Sequence, residues 1–85
     1  MPTILEIFGW RPFFYSNEGN EPVHVDARKG EAECKYWVLI DEFDIEESYA
    51  HGMTPKDRRE IRKIIFIHFE YIIDQWEEFQ KRKQP

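Results

Sequence analysis

The feature that most constrains this chain is a helical pattern that runs from Thr54 to about Lys83, roughly a third of its 85 residues. Gly52-Met53-Thr54-Pro55 announces it. Thr54 is a good N-cap, Pro55 suits the first helical position, and Asp57 can complete a box-like cap. Stepping about 100° per residue from Ile61 puts Ile64, Ile65, His68, Ile72, Trp76 and Phe79 on one stripe. One such stripe needs a sheet to lie on. The expected fold is therefore α+β: a small antiparallel sheet of about four strands packed against one long C-terminal helix. Phe66, Ile67, Tyr71 and Ile73 point away from the stripe. A lone small sheet cannot cover every side of one helix, so Ile67 and Tyr71 are read as an interface with another chain, either a copy or a different protein. Loops could equally cover a helix rim of this kind.

A chain of this length allows one domain, 1–85, read as a sheet over 1–40, an acidic connecting segment over 41–53 and the helix over 54–83. Cys34 is the only cysteine, so neither an internal disulfide nor a cysteine-type zinc site can form. No apolar run approaches the roughly 18 residues that span a bilayer. The start, Met1-Pro2-Thr3-Ile4-Leu5-Glu6, lacks the features of a signal peptide. A reducing, cytoplasmic setting is expected, with no membrane contact and no cofactor. An aromatic content of 16% favours a packed core over disorder.

Strands are expected at Thr3 to Phe8, Phe13 to Tyr15, Val23 to Ala27 and Glu31 to Leu39, separated by turn residues. Ser16-Asn17-Glu18-Gly19-Asn20-Glu21-Pro22 is the densest turn cluster. The acidic run Asp41 to Tyr49 reads as an edge strand or a short helix; periodicity does not separate the two over so few residues.

Side-chain parity places Val23, Val25 and Ala27 on one face, and His24 and Asp26 on the other. With Ala32, Cys34, Tyr36 and Val38 facing the core, His24, Asp26, Glu33, Lys35 and Trp37 share the opposite, solvent-open face. An exposed tryptophan among charges and a histidine resembles a binding surface, and it also fits an ordinary solvated sheet face. His24 is the candidate general acid or base, with Glu21 and Asp26 beside it. Lys35, Arg28 or Tyr15 would supply the cation or phenol that phosphodiester chemistry uses. Two ligands, His24 and Asp26, make too weak a set for a metal site. His68 reads as a hydrogen-bonded core histidine, Cys34 as a small core residue, and His51 as a loop residue without signal.

Net charge is −5, and it is uneven: −7 over residues 1–53 and +2 over 54–85. The overall sign makes a nucleic acid the less favoured partner. Lys56, Arg58, Arg59, Arg62 and Lys63 crowd a helix start, where acidic residues are usual. Either the acidic run folds back on them, or Arg58, Arg59 and Arg62 meet an anion, an acidic partner or a phosphate.

The opening Met1-Pro2-Thr3-Ile4-Leu5, the run Phe14-Tyr15-Ser16-Asn17-Glu18-Gly19-Asn20-Glu21-Pro22 with His24-Val25, and then Lys29-Gly30, Glu33 and Trp37 resemble the domain of unknown function 4160 family. The likeness covers nearly the whole chain. It implies a small bacterial protein, one of the candidate toxins of toxin–antitoxin pairs, with a cognate small protein encoded nearby as partner. It names no reaction. An enzyme would depend on the open sheet face and the Ser16–Pro22 loop, so Tyr15, Asn17, Glu18 and Asn20, beside Lys35 and Trp37, are candidate binding residues. Where the family commonly reads proline-proline-histidine-valine-histidine-valine, this chain has Pro22-Val23-His24-Val25-Asp26-Ala27. Asp26 replaces the second histidine, which weakens any two-histidine site. The leading expectation is a toxin-side component acting through protein–protein contact. A non-enzymatic dimeric or hetero-oligomeric module and a small histidine-dependent ribonuclease are the alternatives.

Overall fold

Gly9 sets the first described turn. In the computed structural model, which describes residues 7–14 and 22–83, Ile7 and Trp10 exchange backbone hydrogen bonds of 3.0 and 2.8 Å. The two residues between them, Phe8 and Gly9, have φ of 51° and 83°. Two positive-φ residues make the tight turn whose twist matches flanking strands. Glycine adopts that conformation readily and phenylalanine does not, so Phe8 is held there under backbone strain with its ring 74% exposed. Of the expected first strand, residues 3–6 lie outside the described residues, and Ile7 takes part only in the bridge to Trp10.

Four strands form an antiparallel meander in chain order: β1 (Arg11–Phe13), β2 (His24–Lys29), β3 (Ala32–Leu39) and β4 (Asp44–His51). The expected second, third and fourth strands correspond to β1, β2 and β3, with shifted ends. The acidic run supplies β4, preceded by a 3-10 turn at Ile40–Glu42. Edge strand, not short helix, is therefore its state, and the sheet extends beyond residue 40 into the segment expected to be a connector. His51 closes this strand and is not a loop residue. A bulge opposite Lys35 and Tyr36 skips Ser48 and pairs Tyr36 with Glu47. That extra residue switches β4 parity, so Ile45, Glu47 and Ala50 all lie on the face that carries Val38, Tyr36 and Cys34.

Thr54 caps the helix as expected: its side chain accepts from the Asp57 amide while Asp57 accepts from the Thr54 amide, both at 3.1 Å. The expected single helix is two, α1 (Pro55–Ile67) and α2 (Phe69–Lys83), broken at His68 with φ −107° and ψ 26°. The break falls at the end of Ile64-Ile65-Phe66-Ile67, a β-branched and aromatic run that holds helical geometry poorly. It also lets Phe69 turn inward, 2% exposed, with its ring 4.6 Å from Phe43. Backbone bonds His68 to Ile64 and Ile72 to His68 still run across it, at 3.1 and 2.9 Å.

Ile61, Ile64, Ile65, Phe69, Ile72 and Trp76 bury against Val25, Ala27, Cys34, Tyr36, Val38 and Ile45 in one core. His68 and Phe79, expected on the same stripe, are half-buried at its margin. No helix among the described residues is long and apolar enough to cross a membrane.

Candidate functional site

His24 and Asp26 are fully buried, each 0% exposed, which corrects the expectation that they share a solvent-open face. Register explains part of this. Phe13 of β1 stands opposite Asp26 and is itself 1% exposed, while Lys35 and Trp37 flank the pair on β3. Trp76 of α2 closes the end, with its ring 4.9 Å from the imidazole, and Trp37 lies edge-on at 5.6 Å. Parity along β2 identified a shared face correctly. It could not show that aromatic rings cover that face.

The His24 Nδ1 lies 3.0 Å from the Pro22 carbonyl oxygen. A carbonyl only accepts, so Nδ1 carries a proton and donates it. Nε2 then points at the Asp26 carboxylate, 3.8 Å from Oδ2. That is ion-pair distance, longer than a hydrogen bond. With a second proton on the imidazole the two groups form an ion pair at this distance. Sealed as it is, the pair ties the start of β2 to the turn before it and has no surface with which to meet a substrate.

Of the other candidate residues, Tyr15, Asn17, Glu18, Asn20 and Glu21 lie outside the described residues. Lys35 and Trp37 are half-buried, with the Lys35 ammonium 4.6 Å above the Trp37 ring. The three candidate arginines separate. Arg58 Nε donates to Glu47 Oε1 at 3.1 Å, and Arg62 lies over Tyr36 and Phe66 at 5.9 and 6.0 Å. The acidic run thus does fold back on the basic helix start, through Glu47. Arg59 instead lines an open groove of about 540 Å³, with Lys63, Ile64 and Ile67 of α1 and with Ile7 and Phe8 of the first turn. Ile67 and Tyr71, the candidate interface, are 65% and 44% exposed.

Two polar hubs were not legible in the sequence. Glu60 Oε1 accepts from Trp10 Nε1 at 2.6 Å and from Lys29 Nζ at 2.7 Å, and the bond from Lys29, then that from Trp10, holds its carboxyl below the usual range. Glu47 accepts from Arg58 and also from the Tyr36 hydroxyl at 3.0 Å; the Arg58 bond lowers its carboxyl pKa most. Burial first, and the bond to Glu47 second, push the Tyr36 phenol up to about 12. These contacts join residues 11 to 50 positions apart, and no local pattern announces them. Burial likewise pushes the Cys34 thiol up to about 12, as suits an inert core residue. Among the described residues no group of three or more His, Cys, Asp or Glu side chains is placed to hold a metal ion.

These features define a small α+β domain whose buried polar groups brace the sheet and whose exposed large apolar groups include Ile67 and Tyr71 on the helices. A family model described as a domain of unknown function (DUF4160) matches residues 9–77, and the chain belongs to that family. No curated protein and no solved structure matches it.

Proposed function

We propose that the protein is a contact component of a bacterial two-protein pair of the toxin–antitoxin type, on the toxin side, acting by binding another protein. One observation carries the preference for binding over chemistry. Ile67 and Tyr71 are presented to solvent on the helix layer, whereas His24 and Asp26 have no exposed surface. Large apolar groups gathered outside a small domain mark contact surfaces, and a general base must come within hydrogen-bond reach of its substrate.

Growth of bacteria under tightly induced expression tests this reading. Native protein is expected to arrest growth. Ile67→Asp is expected to relieve the arrest, and a His24→Gln variant shown to be folded by circular dichroism is expected to preserve it. Unimpeded growth with the native chain removes the toxin role. Relief by folded His24→Gln moves the assignment to a histidine-dependent enzyme such as a ribonuclease.

A further inference from the structure

The first turn carries backbone strain that the core does not offset. Phe8 has φ of 51°, a conformation costly for any residue with a side chain, yet its ring is 74% exposed and adds little to the core. Strain of this kind concentrates at ligand sites, where the surrounding structure holds a residue in place for a use. Phe8 borders a cavity of about 420 Å³, within the range of roughly 300–1,000 Å³ usual for small-ligand sites. Gly9, Trp10 and Gly30 of the β2–β3 turn contribute to its lining. A Cβ at Gly30 would meet no atom within 4 Å, so that wall is open.

Two arginines also line the cavity. Arg11 of β1 stands directly opposite Arg28 of β2, so the two side chains share one face of the sheet. Like charges so placed repel each other, and among the described residues no carboxylate lines the cavity. Arg28 Nη2 lies 3.5 Å from Glu33 Oε1, and its guanidinium is 5.7 Å from the centre of the Phe13 ring. A guanidinium has five N–H donors, so one carboxylate contact leaves others for a further acceptor. Arg11 is exposed and enters no ion pair among the described residues.

We propose that this cavity binds a mononucleotide, with its terminal phosphate held by Arg11 and Arg28 and its base stacked on Phe8. Two guanidinium groups on one cavity match a group with two negative charges spread over several oxygens. A phosphate monoester is such a group, whereas a carboxylate carries one charge. The exposed ring beside them offers a flat face on which any base can stack. A single nucleotide also suits the overall charge. The net of −5 opposes a long polyanion, but charges more than about 8 Å from a small ligand are largely screened at physiological ionic strength. The proposal goes beyond the contact reading and is independent of it, because neither Ile67 nor Tyr71 lines the cavity.

Amide NMR titration of the full chain with adenosine monophosphate tests the assignment, at about pH 7.5, where the phosphate is doubly charged. The Gly9 and Gly30 signals are expected to shift and saturate with a Kd below about 1 mM. Adenosine and ribose phosphate each carry half of the ligand and are expected to bind at least about fivefold more weakly. Arg11→Glu, a change at an exposed side chain, is expected to weaken binding at least about tenfold. Phe8→Asn keeps a residue that tolerates positive φ but removes the ring, and is expected to cost at least about fivefold in affinity. Phe8→Tyr keeps the ring and should keep the affinity. No saturable shift at about 5 mM ligand overturns the proposal. So does ribose phosphate binding as tightly as the nucleotide, or native affinity in an Arg11→Glu or Phe8→Asn variant shown to be folded by circular dichroism. A dinucleoside monophosphate, whose only phosphate is a diester, overturns the terminal-phosphate assignment if it binds as tightly as adenosine monophosphate.

Discussion

Replacing Asp26 by asparagine separates a buried structural pair from a catalytic one. The Nε2–Oδ2 distance is 3.8 Å and neither side chain is exposed. At an effective dielectric constant of about 20, two unit charges at that distance attract by about 4 kcal/mol. This agrees with the loss of about 3–5 kcal/mol that follows removal of one partner from a buried pair. A domain of this size has about 4–13 kcal/mol of stability in all. Asp26→Asn is therefore expected to lower the thermal midpoint by about 15–30 °C. Urea unfolding followed by far-ultraviolet circular dichroism at low temperature, where the variant remains folded, gives the free energy directly. His24→Gln should cost a similar amount. The double variant should cost at least about 2 kcal/mol less than the two separate losses together, because the two side chains interact directly and each single change already removes that interaction. A single-variant loss below about 1 kcal/mol, or strict additivity, would refute the ion-pair reasoning and leave His24 available for another role.

Three further outcomes follow from the polar hubs, the core and the helix start. Arg58 holds the Glu47 carboxyl below its ordinary value of 4.5, so this stabilisation is present above pH 4.5 and is lost as pH falls through the lower folded-state value. Glu47→Gln should accordingly flatten the acid limb of the stability curve, and urea midpoints at pH 7 and pH 3 that differ as much as in the native chain would contradict it. Cys34, 0% exposed and with its thiol near 12, should react with iodoacetamide at pH 8 only as fast as the domain opens. Labelling as rapid in native buffer as in concentrated urea would be the contrary result. Thr54→Ala removes the side-chain half of the capping box and should cost about 1 kcal/mol, measured as a lowered urea midpoint. An unchanged midpoint would mean that the cap adds nothing to the folded state.

Local chemistry made several elements legible. Thr54, Pro55 and Asp57 announce the helix start because capping depends only on neighbours within one turn. Parity within β2 and β3 sorted Val25, Ala27, Cys34 and Tyr36 into the core because a strand alternates whatever it packs against. The spacing of Ile67 and Tyr71 away from the main stripe likewise announced side chains that the sheet would not cover, and both are exposed.

What required the tertiary structure was everything set by partners distant in the chain. His24 and Asp26 become a sealed pair because Phe13, Trp37 and Trp76 converge on them from three elements, and an alternating pattern cannot count the layers above its second face. The bulge at Ser48 decides that Glu47 joins Tyr36 and Arg58, since one extra residue reverses the parity of a strand. The helix breaks at His68 where a poor helical run coincides with the chance to bury Phe69 against Phe43, a balance that helical periodicity alone does not weigh. Capping and alternation act within a few residues and can be read along the chain; burial and ion pairing depend on which distant segments arrive, and only the folded chain brings them together.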